Sequence, residues 1–387
     1  MAQDYTVVYH TAAGGRGIDG VGLVQLPDGM MVAVVPIRRQ EGWRCLIVRS
    51  IDGGRNWQPP VAELPYFTAA PFVHQGKVHL FAHANANLVL TRSQDGGTTW
   101  SDPVTLFDFS PNWYNCQTGM AVRHNRLYWA VGDLHVGDAV IQGRKEVPRI
   151  VVVAGDLGSD LMDPESWRKS PHVPWPGPGL PEQLLSPDMS DAPYPSMRML
   201  EPNVLNVGGQ LRVLATVKPP LQATTNLCAV FDVADDGEKL DLSFTQYHPM
   251  PGGQLKFCVI WDDVSQMFWA TVNLAVDGQD QFEFKDPAEH GGEQPYSGAI
   301  RGNDRRFLML FYGIDGLNWF PAGCVARAGR LGQSFMYPSH LVDGDDLLVI
   351  AWTSVNGDNR HDADVATFHR VRDFRRLAMN LRQDIDS

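Results

Sequence analysis

The octet Ser50-Ile51-Asp52-Gly53-Gly54-Arg55-Asn56-Trp57 returns as Ser93-Gln94-Asp95-Gly96-Gly97-Thr98-Thr99-Trp100, its aspartates 43 positions apart (52 to 95). A repeat of this length constrains the fold more than any local propensity, because each unit must bury its apolar face against a neighbour. Each copy follows a β-rich run, Leu46-Ile47-Val48-Arg49 or Leu88-Val89-Leu90-Thr91. A strand therefore enters, Ser and Asp bond backbone across a bend, and the glycines supply positive φ. The Trp begins the returning strand. The period matches one four-stranded propeller blade.

Further quartets follow the same plan. The first blade takes Gly20–Leu26, Met31–Ile37, Arg44–Ser50 and a short strand after Trp57. The second takes Thr68–His74, Lys77–His83, Leu88–Ser93 and the segment after Trp100. Cys116–Arg123, Arg126–Gly132, Arg149–Ala154 and a strand near Trp167 make the third; Glu201–Val207, Gln210–Val217, Leu227–Val233 and Leu242–Tyr247 make the fourth. Lys256–Trp261, Met267–Asn273, Phe307–Tyr312 and Ala322–Ala326 form the fifth, with Asp315-Gly316-Leu317-Asn318-Trp319 as a shortened copy of the turn. The sixth has Ser334–Val342, Leu347–Thr353 and Val365–Val371, and borrows Tyr5–His10 to close the ring. The expected fold is all-β, one domain over residues 1–387, with loop insertions at 171–195 and 275–303. It has six blades, or seven if an insertion hides one.

Formal net charge of −12 over 387 residues argues against a nucleic-acid partner, whose phosphates need a basic surface, but leaves room for an acidic sugar held by a few cations in a cleft. No apolar run reaches membrane-spanning length, and Met1-Ala2-Gln3-Asp4 lacks a basic start. As written the chain is expected in the cytoplasm, or in the periplasm or outside the cell if a signal peptide has been removed. The five cysteines carry no CxxC spacing, so free thiols inside strands are expected and neither metal nor cofactor is implied.

Blade geometry sorts the loops by face. If the octet turns join third to fourth strands, the opposite face collects the starts of the inner strands and the second-to-third loops, which converge on the axis. The starts bring Asp19, Tyr114, Gln117, Arg198, Glu201, Asn203, Lys256 and Tyr337; the loops bring Arg38, His83, His135, Lys218, Arg360, His361 and Asp362. Catalytic candidates are Glu201, His361, Asp362, Asp19, His135 and His83. Substrate-binding candidates are Lys256, Asn203, Arg198, Arg38, Arg360, Tyr337, Gln117, Tyr114 and Lys218. Alternation along an inner strand aims Glu201 and Asn203 the same way. Lys256 on the next inner strand is the expected partner of Glu201, and the arginines suit a sugar carboxylate. Such a ring fits an oligosaccharide or polysaccharide; oligomeric state is not legible.

The octets resemble the Asp boxes of the sialidase-like propellers, which places them on the face away from chemistry. That resemblance implies a glycosidase with three arginines on a substrate carboxylate and a Tyr/Glu nucleophile pair. Where sialidases open blade one with Arg-Ile-Pro, this chain reads Gly17-Ile18-Asp19-Gly20-Val21, and no motif marks out the pair. The second half is also similar to the propellers that cleave rhamnose–glucuronate linkages as lyases or α-L-rhamnosidases. That similarity rests on Leu200-Glu201-Pro202-Asn203-Val204, Pro251 to Phe257, Met267 to Asn273, and His361 to Val371. The blade-two histidine of that branch is Thr68 here, leaving its proton transfer to His83, His135 or His361.

Three functions follow. The first is a glycoside hydrolase, exo-acting on an acidic or rhamnose-capped glycan, with carboxylates from Asp19, Glu201 and Asp362. The second is a polysaccharide lyase working by β-elimination, and the third a non-catalytic glycan-binding propeller.

Overall fold

The computed structural model describes residues 4–11, 17–109, 113–141, 144–174, 198–218, 225–275, 304–329, 333–355 and 363–379, leaving aside the side chains of 134–148 and 198. Six antiparallel sheets follow one another around a ring. The first blade is Gly22–Gln25, Met31–Arg39, Gly42–Ser50 and Ala62–Leu64. The second is Ala69–His74, Lys77–Ala84, Asn87–Ser93 and Val104–Asp108. In the third, Trp113–Tyr114 and Ala121–Arg123 share the inner edge beside Arg126–Ile141, Arg144–Asp156 and Trp167–Lys169. Arg198–Val207, Gln210–Lys218, Leu227–Asp235 and Leu240–Pro249 make the fourth. Cys258–Asp262, Met267–Asn273, Phe307–Gly313 and Phe320–Arg327 make the fifth.

The sixth blade joins the chain's two ends. Ser334–Asp343, Asp346–Ser354 and Val365–Val371 are completed by Thr6–His10, which pairs antiparallel with Val365–Val371 from Thr6 opposite Phe368 to His10 opposite Val365. The expected closure is therefore present, and the ring has six blades. The insertions lie outside the described residues except for 171–174 and 275. Val173–Pro174 adds a short strand beside Arg149 and Ile150.

The repeat explains how blades stack. In the first box Asp52 Oδ1 accepts from Ser50 Oγ and Asn56 N, each at 2.9 Å, and Ser50 Oγ accepts from Gly54 N at 2.9 Å. The second box repeats this, with Ser93 Oγ to Asp95 Oδ1 at 2.8 Å and Gly97 N to Ser93 Oγ at 2.7 Å. Gly54 has φ +84°, and a Cβ there would stand 2.2 Å from Phe368 of the sixth blade; at Gly97 it would stand 2.7 Å from Ile47 of the first. Each box glycine thus presses its turn against the preceding blade. The core consists of such inter-blade layers, as where Phe81 stacks on Trp129 at 4.6 Å. The five cysteines are free, and four are buried.

The third blade departs from expectation. Its central hairpin runs well past Gly132, pairing Leu134 with Pro148 and His135 with Val147. Asp133, Leu134 and His135 therefore stand within a strand and not in a loop, because the backbone ladder continues through residues that read as loop chemistry.

Candidate active site

Two inner strands break step at the same place. In the fourth blade register shifts between Leu200 and Asn203, and in the sixth between Met336 and Ser339. Each interruption is a residue with positive φ followed by proline: Glu201 (φ 49°) before Pro202, and Tyr337 (φ 50°) before Pro338. Proline has no N–H for the ladder, so it belongs at a bulge. The left-handed residue ahead of it is held at a cost the surrounding structure must cover. Both bulges re-aim their side chains toward the propeller axis.

There the two meet. Glu201 is fully buried, its Oε1 accepting from Lys218 Nζ at 2.8 Å and its Oε2 from Thr216 Oγ1 at 3.0 Å. The Tyr337 hydroxyl also donates to this carboxylate. Burial opposes the charge of Glu201, but Lys218, Tyr337 and Arg305 outweigh it and hold the carboxyl below its ordinary value. Tyr337 lies flat on Trp352, ring centroids 4.4 Å apart, with the Arg305 guanidinium 5.0 Å over its ring and Lys218 Nζ 3.5 Å from its hydroxyl. Burial and the Glu201 charge push the phenol well above its usual range, so it keeps its proton in the resting protein.

Asp19 enters from the first blade. Ile18 bridges Ile37, Asp19 N donates to Pro36 O at 3.0 Å, and its Oδ1 accepts from Gly20 N at 2.6 Å and Tyr114 Oη at 3.0 Å. Desolvation raises its pKa to about 6 despite those donors, with the Glu201 charge adding to the rise. As a residue Asp19 is half-buried where Glu201 is fully buried. The axis therefore holds one ionised carboxylate bonded to a phenol, two cations beside them, and a second carboxyl that burial pushes up to about 6.

Several expected residues have other work. Lys256 is not the partner of Glu201: its ammonium donates to Pro338 O and, at 3.3 Å, to Ser339 Oγ, while Lys218 takes the carboxylate. Nor do Glu201 and Asn203 point the same way, because the bulge intervenes. Asn203 Oδ1 accepts from Gly119 N at 2.8 Å and Val259 N at 3.0 Å, and its Nδ2 donates to Phe257 O at 3.2 Å. Gln117 is spent likewise on Leu23 N, Leu23 O and Pro71 O at 2.6, 2.8 and 3.1 Å. These two amides fasten inner strands of different blades to one another.

His83 is packed between Trp113 and Phe67, with ring centroids 4.6 and 5.7 Å away, in an aromatic row. Phe67 continues that row to Trp43 and to Tyr114. Arg38 is exposed on the same face, its backbone N–H donating to Gly17 O at 2.8 Å. His135 and Arg198 lie on strands whose side chains here are not described; Arg360, His361 and Asp362 lie outside the described residues. Arg305 and Thr216 were missed. Arg305 ends the second-to-third loop of the fifth blade, so the rule that picked out Lys218 applied to it too.

The fold is a six-bladed β-propeller. No protein-family model matches this sequence, and no curated protein matches it significantly. Among solved structures the chain is similar to the Penicillium chrysogenum α-L-arabinanase complexed with arabinobiose: TM-score 0.53 at 13% identity, covering 95% of this chain and 97% of that one. It is also similar to the NanB sialidase of Streptococcus pneumoniae, with TM-score 0.59, 10% identity, and 95% and 70% coverage. The Trypanosoma rangeli sialidase solved with sialic acid gives TM-score 0.56 at 14% identity, covering 96% of this chain and 57% of that longer chain. At these identities the likeness is one of fold.

Proposed function

We propose that this propeller is a glycoside hydrolase, exo-acting on a terminal acidic sugar, in which Tyr337 is the nucleophile. The observation that carries this reading is the buried Tyr337 and Glu201 pair, flanked by Lys218 and Arg305, with the Asp19 carboxyl pushed up to about 6 at the same axis. A phenol is a weak nucleophile unless a base takes its proton as it attacks. Glu201 is placed for that, and Lys218 and Arg305 favour the charge that develops.

The steps balance as a double displacement. Tyr337 Oη bonds to the anomeric carbon while its proton passes to Glu201, and protonated Asp19 gives its proton to the departing glycosidic oxygen. Asp19, now a carboxylate, takes a proton from water, which attacks the anomeric carbon and releases Tyr337; the phenol recovers its proton from Glu201. The bond broken is the glycosidic C–O, and configuration is retained.

The exposed Arg38 supports a substrate bearing a carboxylate, a uronic or sialic acid, ahead of neutral arabinosides. Incubation with acidic glycans, sialosides and arabino-oligosaccharides tests this, following reducing ends alongside the ultraviolet band of an unsaturated uronate. Reducing ends without that band, lost in Tyr337→Phe and lowered about 10²–10⁴-fold in Asp19→Asn, are expected. The unsaturated product would mean elimination, and saturable binding with no product would mean a lectin; either overturns the reading.

A further inference from the structure

The bulges that present Glu201 and Tyr337 are gripped in the same way, by the carbonyl of the proline that follows each. Pro202 O accepts from Thr118 Oγ1 at 2.7 Å and from Asn115 Nδ2 at 3.2 Å. Pro338 O accepts from the Lys256 ammonium. In both cases the grip comes from the preceding blade: Asn115 and Thr118 belong to the inner edge of the third and hold the fourth, while Lys256 opens the fifth and holds the sixth. All three side chains are buried, Lys256 completely.

The repetition has a physical cause. Ladder pairing lapses at each bulge and resumes at Asn203 and Ser339, so the intervening proline carbonyl has no strand partner. A buried carbonyl must find a donor elsewhere. The next residue then ties the bulge down from the other side. Asn203 takes Gly119 N and Val259 N, and Ser339 Oγ lies 2.9 Å from Gln117 O and 3.2 Å from Val21 O. A neutral donor would satisfy Pro338 O, yet the residue is a lysine whose partners, among the described residues, are a carbonyl and a hydroxyl. A buried ammonium so placed costs desolvation energy. It also sets a positive charge behind the axis, where the Cys116 thiol feels Lys256, Glu201 and Asp19 together.

We propose that Lys256, with Thr118 and Asn115, forms a positioning set that fixes the left-handed backbone at Tyr337 and Glu201 by holding the following proline carbonyl, and so sets the Tyr337–Glu201 hydrogen bond. The inference rests on the nucleophile reading only for its kinetic consequence; the geometric part stands apart from it.

The test is Lys256→Met in protein labelled with 3-fluorotyrosine, the Tyr337 fluorine signal being assigned by its loss in Tyr337→Phe. The variant is expected to fold with the Tyr337 signal moved, and to show kcat lowered about 10²-fold with KM little changed, the effect of a misplaced reacting group. An unmoved Tyr337 signal in folded Lys256→Met overturns the proposal. A moved signal in a protein that hydrolyses none of the glycans upholds the positioning set and removes the hydrolase reading instead. Should Lys256→Met fail to fold, Thr118→Val weakens the grip on Pro202 O, and the Tyr337 hydroxyl must follow its acceptor. An unmoved signal there overturns the proposal equally.

Discussion

Tyr114 Oη lies 3.0 Å from Asp19 Oδ1, so a residue that opens the third blade steadies a carboxyl that opens the first. With Asp19 near 6 and Glu201 below its ordinary value, activity should rise as Glu201 ionises at low pH and fall above about 6 as Asp19 loses its proton. Tyr114→Phe removes a donor that favours the ionised form, so the Asp19 pKa climbs further. The alkaline limb of the kcat/KM profile should therefore move to higher pH; a shift to lower pH would remove Asp19 from the acid role.

The same carboxyl predicts a trade between stability and function. A folded-state pKa of about 6, above the ordinary 3.8, means the native protein binds the proton more tightly than the unfolded chain. Asp19 therefore costs nothing at pH below about 4, costs progressively more as pH rises toward 6, and costs its full amount above that. Asp19→Asn should stabilise the protein at pH 7 by about 3 kcal/mol and leave it nearly unchanged at pH 3.5. Urea unfolding at both values measures this, and an equal effect at the two would contradict the buried charge.

Loss of Lys218 takes from a buried carboxylate the cation bonded to it at 2.8 Å. The Lys218 side chain is 12% exposed and Glu201 is 0% exposed, so Lys218→Met should destabilise by about 3–5 kcal/mol. The double variant with Glu201→Gln should recover much of that, since a neutral amide needs no counter-charge. Additive losses in the double-mutant cycle would mean the two residues are not coupled.

The boxes can be probed through their glycines. Gly54→Ala forces a Cβ into Phe368 at 2.2 Å on a residue with φ +84°, whereas Gly76→Ala, with φ +71°, meets nothing within 4 Å. The first should cost well over 2 kcal/mol and the second about 1 kcal/mol, the backbone penalty alone. Melting temperatures of the two variants decide this, and equal losses would deny the box its role between blades.

Much of the fold was legible because its signals are local. Box turns and two-residue turns such as Gln75-Gly76 punctuate the chain, and strands between them follow from apolar content. The third-blade hairpin escaped because Gly137, Gly143 and Pro148 resemble loop chemistry while its ladder persists. At the site, Glu201, Tyr337, Asp19 and Tyr114 could be picked out by strand position and Lys218 by loop position, yet their pairing could not. Alternation assumes an unbroken pleat, and a positive-φ bulge inverts it. The sign that was present is a Glu-Pro step and a Tyr-Pro step at matching points of two blades. Asn203 and Gln117 drew a binding role because amides suit sugars, but where inner strands of different blades converge, buried amides suit orphaned backbone groups equally well.

Completion of the sixth blade by Thr6–His10 has a consequence for how the molecule is made. The strand synthesised first is needed last, and it must wait through five intervening blades before Val365–Val371 emerges to receive it. Until then the nascent chain is an open arc with a bare strand edge at each end. The interval between first and last strand is therefore the period of greatest exposure to misassociation, and ring closure is the event that ends it.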